Sequence, residues 1–163
     1  MNAVPVLNTE RCVLNEITQE DILMLRDIVD DILFRRFLPE LYKLVRSSEG
    51  LQRFLDAFQE YLAKDEGCLW GVRKENQLIG FVALMDFSCC PSISYAMHPD
   101  FRNQGYAKES VAEAVNYFKT ISSQLELQTV VYKDNEASLS ILRSCGFIES
   151  ADLQKKVVMT LCS

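Results

Sequence analysis

The residues best suited to chemistry are His98-Pro99-Asp100-Phe101-Arg102-Asn103-Gln104-Gly105-Tyr106-Ala107. An apolar run, Ile93-Ser94-Tyr95-Ala96-Met97, precedes them. Apolar residues at helical spacing follow: Ala107, Val111, Ala114, Val115 and Phe118. A strand therefore feeds a turn that opens a helix. The first amides of a helix have no carbonyl one turn back, and the helix dipole adds partial positive charge at that end. Such a start can hold a phosphate. Gly105 carries no Cβ, so an anion can approach its backbone closely. Taken alone, the same glycine also fits a plain turn.

A second segment is Asn135-Glu136-Ala137-Ser138-Leu139-Ser140-Ile141-Leu142-Arg143-Ser144-Cys145-Gly146-Phe147, which follows a strand-like run over 125–132. It reads as a short helix, with Asp134 or Asn135 able to cap its start and Gly146 ending it. Ser138 shares a face with Ile141, Leu142 and Cys145, so it points inward.

Arg102-x-x-Gly105-x-Ala107 resembles the Arg/Gln-x-x-Gly-x-Gly/Ala signature of the GNAT N-acetyltransferase superfamily. The 135–147 segment is similar to the Asn-x-x-Ser…Gly-Phe segment of its RimJ/RimL-like branch. Thr9-Glu10-Arg11-Cys12-Val13-Leu14 with Ile17-Thr18-Gln19-Glu20-Asp21 looks like the first strand and helix start of that branch. The three segments occur in the expected order across most of the chain.

The resemblance implies transfer of an acetyl group from acetyl-CoA to a primary amine, that of a protein N-terminus or a small molecule, by direct attack. It also implies site residues. Tyr95 and Met97 match strand positions whose main-chain groups bind the pantetheine arm, their side chains being ordinary strand residues. Arg102, Asn103, Gln104, Gly105, Tyr106 and Ala107 match the pyrophosphate loop. Arg102 either adds a charge-assisted phosphate bond or only helps to shape the turn. Asn135 matches an Asn that bonds the pantetheine amide, a role compatible with capping. Ser138 matches a serine near the thioester sulfur. There it either donates to the leaving thiolate or is a small buried residue bonded to its own backbone.

Two positions depart from the pattern. Leu142 stands where many members place a proton-donating tyrosine. Ser92-Ile93-Ser94-Tyr95 replaces the branch's Glu-Ile-Gly-Tyr. The general base is therefore unassigned, with Asp86, Glu10 or a water chain as candidates. Histidine is a common general base, but the position of His98 before Pro99 at a strand end fits a structural role. The alternative function is a non-catalytic acyl-CoA-binding sensor or interaction module.

Composition narrows the classes further. The chain has 163 residues, 48% hydrophobic and 25% charged, which suits one domain over 1–163 with a substantial core. A net charge of −6 argues against nucleic-acid binding. No apolar run is long enough to cross a bilayer, and the N-terminus lacks signal-peptide character, so a cytoplasmic protein is expected. The six cysteines and single histidine show no zinc-ligand spacing, so free thiols and no metal are expected. A monomer or a homodimer is equally compatible.

The elements that must position the motifs follow from periodicity. A first strand is expected over 10–17, and a helix from Thr18 carrying Ile22, Leu25, Ile28, Val29 and Ile32. Pro39 should stop the helical run through Leu38. Ser47 should cap a second helix bearing Leu51, Phe54, Leu55, Phe58 and Leu62. Strands over 68–74 and 77–86 should join through Glu75-Asn76. A loop over 87–91, a strand over 92–97, the turn and a helix to about 121 come next. Alternating Leu125, Leu127, Thr129 and Val131 mark a fifth strand, and 147–152 with 155–162 a closing pair. The fold class is α+β: a mixed, mostly antiparallel central sheet flanked by helices in three layers, GNAT-like.

Overall fold

The computed structural model describes residues 3–122 and 125–162. Eight strands form one sheet in the order β1-β2-β3-β4-β5-β6-β8-β7. They are β1 (Leu7–Asn8), β2 (Val13–Asn15), β3 (Cys68–Lys74), β4 (Gln77–Met85), β5 (Ser92–Met97), β6 (Leu127–Tyr132), β7 (Ile148–Leu153) and β8 (Lys156–Leu161). Neighbours are antiparallel except β5 and β6, which run parallel. The helices are α1 (Ile22–Val29), α2 (Ile32–Phe37), α3 (Pro39–Val45), α4 (Ser48–Ala63), α5 (Tyr106–Ile121) and α6 (Glu136–Ser144). The mixed α+β architecture expected from the sequence is the one observed. Among the described residues, no helix is long and apolar enough to cross a membrane.

Side chains on a strand alternate between faces, and the central strands are apolar on both. Leu69, Phe81 and Ala83 join Leu25, Ile28, Phe34, Val45, Leu51 and Phe58 of α1–α4. Trp70, Val82, Leu84, Ile93 and Met97 join Val111, Val115 and Phe118 of α5 and Leu139 and Leu142 of α6. The sheet is thus the middle layer of three. The β3–β4 hairpin turns through Glu75 and Asn76, with φ of 49° and 67°. That is the pair of left-handed residues a two-residue hairpin requires.

The N-terminal third departs from the sequence expectation. The first strand is confined to Val13–Asn15, with the short Leu7–Asn8 strand beside it. The single helix expected through Ile32 is broken after Val29, and Ile32 is exposed rather than on the core stripe. Asp31 causes the break. It is extended, and one oxygen, Oδ2, accepts from the amides of Leu33 and Phe34 at 2.9 and 3.1 Å, starting α2 afresh. Pro39 stops α2, as expected, but it also opens α3 at a position where its missing N–H costs nothing. Leu125 lies before β6.

The same Asp31 Oδ2 accepts from Arg102 Nη2 at 2.6 Å. Burial pushes the Asp31 carboxyl up, but Arg102 and the two amides outweigh it and hold the group below its usual range. Its stabilising contribution is present above the unfolded value of about 3.9 and is lost as pH falls through the lower folded value. Asp31→Ala should cost about 1–3 kcal/mol at neutral pH. Asp31→Asn, which keeps a capping oxygen, should cost less. In melts run at successive pH values, the deficit of both variants should narrow below about pH 4. A deficit that does not depend on pH would show that the carboxylate charge contributes nothing.

Candidate active site

β5 and β6 touch at one rung. Ser92 pairs with Gln128, and the Gln128 amide donates to the Pro91 carbonyl at 2.9 Å. Beyond that rung no β5–β6 pair occurs among the described residues, whereas β5 stays laddered to β4 from Ser92 to Met97. The strands diverge, and the gap opens into a cleft of about 470 Å³. Ser94–Met97 form one wall and Thr129–Val131 the other. Leu33, Phe34, Phe37 and Leu38 of the α2 segment cover one side, and residues from the 101–108 turn and from α6 border the rest.

The turn reverses sharply through two left-handed residues, Asn103 at φ 59° and Gly105 at φ 85°. A side chain is strained at Gly105, and a Cβ there would lie 3.0 Å from Arg11 Nη2. The α5 ladder opens with the Glu109 amide donating to the Gly105 carbonyl at 3.0 Å. The amides of Tyr106, Ala107 and Lys108 precede it and have no carbonyl one turn back.

Arg11 supports this turn and was not legible as a site-building residue. Its Nη1 donates to the Gln104 carbonyl at 2.9 Å, its Nε to Glu109 at 2.8 Å, and its guanidinium lies 4.3 Å from the Tyr106 ring centroid. It stands more than ninety residues upstream, and no spacing rule links the two.

The structure places the other candidates as follows. Arg102 lines the cleft, with its Nη2 on Asp31. Tyr95, Met97, Asn103, Gly105, Tyr106, Ala107, Asn135 and Ser138 all line it, and Gln104 lies in the same turn with its side-chain amide on the Asp100 carbonyl. Asn135 caps α6, its Oδ1 accepting from the Ser138 amide at 3.3 Å. Ser138 Oγ meets Tyr95 Oη at 2.6 Å. Burial pushes the Tyr95 phenol up to about 12, so it is protonated at neutral pH. The side chain of Tyr95 is therefore more than an ordinary strand residue. The strand alternation puts Tyr95 on the face of Ile93 and Met97, but nothing in the sequence pairs it with a residue 43 positions on.

Leu142 is wholly buried in the core. His98 uses Nδ1 to accept from the Asp100 amide at 3.2 Å, which caps the 3₁₀ turn Pro99–Phe101. Neither Asp86 nor Glu10 is among the cleft-lining residues. Tyr61 donates to Asp86 at 3.4 Å, and Glu10 lies at a separate surface depression. Among the described residues, no cluster of three His, Cys, Asp or Glu side chains could hold a metal ion.

A parallel strand pair that parts after one rung, beside a left-handed glycine turn at a helix start, defines a class of protein. The sequence profile of the acetyltransferase (GNAT) domain matches residues 11–148, and the chain belongs to this family. Two curated relatives come from Bacillus subtilis (strain 168). The chain is 27% identical over 158 residues to the uncharacterized N-acetyltransferase YoaA, covering 93% of this chain and 87% of that protein. It is 26% identical over 159 residues to the SPbeta prophage-derived uncharacterized N-acetyltransferase YokL, covering 94% and 85%. The fold is shared with RimL, the ribosomal L7/L12 alpha-N-protein acetyltransferase, in its complex with coenzyme A. The TM-score is 0.83, the identity 13%, and the coverage 97% and 98%. The ribosomal-protein-S5-alanine acetyltransferase from Vibrio fischeri gives a TM-score of 0.75 at 15% identity, with coverage of 97% and 96%.

Gly105→Arg puts a long side chain on a left-handed residue and against Arg11, straining the turn that Arg11 braces. Coenzyme A affinity, measured by titration calorimetry, is expected to fall at least about tenfold, a loss of roughly 1.4 kcal/mol. Unchanged affinity would place the diphosphate elsewhere.

Proposed function

We propose that this chain is one acetyltransferase domain over 1–163 that moves an acetyl group from acetyl-CoA to a primary amine, that of a protein N-terminus or a small molecule. The observation that carries this reading is the cleft between β5 and β6, which runs from the glycine turn to the Ser138 hydroxyl. The residues fit the co-substrate. The turn residues 102–107, with a left-handed glycine ahead of the free first amides of α5, suit a diphosphate. The apolar cleft walls and the unladdered edge of β5, including Tyr95 and Met97, suit the pantetheine arm. Asn135 caps α6 through Oδ1, which leaves its NH2 to donate to an amide carbonyl.

Acetyl-CoA supplies an activated carbonyl. In the transfer the amine lone pair forms the C–N bond, and the C–S bond breaks with its electron pair going to sulfur. The surplus amine proton passes to the thiolate or to water. Ser138 is placed to meet the sulfur as charge develops there. An aliphatic hydroxyl is far less acidic than a thiol, so Ser138 works by hydrogen bonding rather than by giving up its proton. Leu33, Phe34 and Phe37 of α2, with Leu38 just after it, supply an apolar wall for the acceptor.

A panel of amines and N-terminal peptides, read by release of coenzyme A, tests the reading. Turnover with at least one acceptor is expected, with kcat/KM rising with pH as the amine loses its proton. Ser138→Ala should lower kcat about tenfold or more and change acetyl-CoA affinity little. Binding of acetyl-CoA without turnover of any acceptor would instead support a binding module.

A further inference from the structure

We propose that Tyr95 is a positioning residue for the acyl transfer. Its phenol donates to Ser138 Oγ and so directs the single Ser138 proton into the cleft, toward the thioester sulfur. This rests on the acetyltransferase reading above and adds to it a side chain that acts through Ser138.

The geometry is specific. Tyr95 Oη lies 2.6 Å from Ser138 Oγ and 3.5 Å from the Ser138 carbonyl oxygen, so the phenol sits against the first turn of α6. Both side chains line the cleft. Tyr95 packs with Ile141 and Cys145 against the core on the α5–α6 side. In such surroundings a hydroxyl needs a partner, and a chain of hydrogen bonds strengthens each member.

The direction of the bond decides what the cleft meets. A serine hydroxyl has one hydrogen and two lone pairs. If Ser138 donated to Tyr95, its lone pairs would face a sulfur that gains negative charge, and the two would repel. If Tyr95 donates, the Ser138 hydrogen remains for the sulfur. A phenol is a better donor than an aliphatic alcohol, and burial keeps this one protonated, so both favour donation by Tyr95. Position helps as well. Ser138 lies in the first turn of α6, so the carbonyl one turn back, at Asp134, precedes the helix. Without the phenol, the hydroxyl has no fixed orientation.

The test compares the parent with Tyr95→Phe, Ser138→Ala and the double variant. Tyr95→Phe keeps the ring and removes only the donor. It should bind acetyl-CoA like the parent, with kcat lowered about tenfold. The double variant should be no slower than Ser138→Ala, because Tyr95 acts only through that hydroxyl. A second readout needs no turnover. At a pH high enough to ionise the coenzyme A thiol, the parent should bind coenzyme A more tightly than desulfo-coenzyme A. Both single variants should lose that preference. A parent that turns over while Tyr95→Phe keeps full kcat, or penalties that multiply in the double variant, would overturn the role of Tyr95 alone. A parent inactive with every amine would overturn the acetyltransferase reading. The coenzyme A preference would then decide by itself whether Tyr95 orients Ser138, and an unchanged preference in Tyr95→Phe would reject it.

Discussion

One rung between two parallel strands governs this molecule. Ser92 and Gln128 hold β5 and β6 together at one end, and everything past them is free to part. A sheet interior normally satisfies every amide and carbonyl through its neighbours. Here the sheet gives up that pairing between β5 and β6 beyond the one rung, and each strand is held on its other side, β5 to β4 and β6 to β8. Two helical layers hold the halves in place, with α5 and α6 packed on one face and α1–α4 on the other. The resulting gap has polar backbone along its edges and apolar side chains on its walls. Those are the surfaces that a long ligand alternating amides with methylenes can use.

Three polar side chains at the gap have defined partners. Asn135 caps its helix, Ser138 meets Tyr95, and Arg102 meets Asp31. In an apolar cleft an unanswered hydroxyl or charge is costly, so these pairings fix the orientation of each group before a ligand arrives. Arg11 does the same for the turn from behind, bracing the Gln104 carbonyl and Glu109 while its guanidinium lies over the Tyr106 ring.

Much of this was legible in the chain. The α5 stripe, the β3–β4 hairpin and the glycine turn are local patterns, and local patterns survive folding when the core lies on the expected face. The helix expected through Ile32 failed because a side chain outcompeted a periodicity. Asp31 offered two amides a better partner than the preceding turn could. The α3 helix was missed because Pro39 was read only as a stop, although proline is equally at home at a first helical position. The site divides in the same way. The glycine turn and the cap and inward face of α6 were legible from spacing, and the roles expected of their residues came from the family resemblance. The Tyr95–Ser138, Arg11–Gln104 and Arg102–Asp31 contacts join distant parts of the chain, and only the closed fold brings them together.

Helix α2 is moored across the cleft at both ends, and the moorings differ in kind. At its start Asp31 and Arg102 are mostly withdrawn from solvent, with side chains 12% and 24% exposed. At its end Arg36 reaches Asp134, just ahead of α6, at 2.6 Å with both groups more than half exposed. Dissolved ions weaken the second tie far more than the first. Raising ionic strength would therefore loosen the tie near Phe37 while leaving the helix anchored beside the glycine turn, like a door on one hinge. The opening that results faces Tyr132, while the glycine turn keeps its tie to the start of α2.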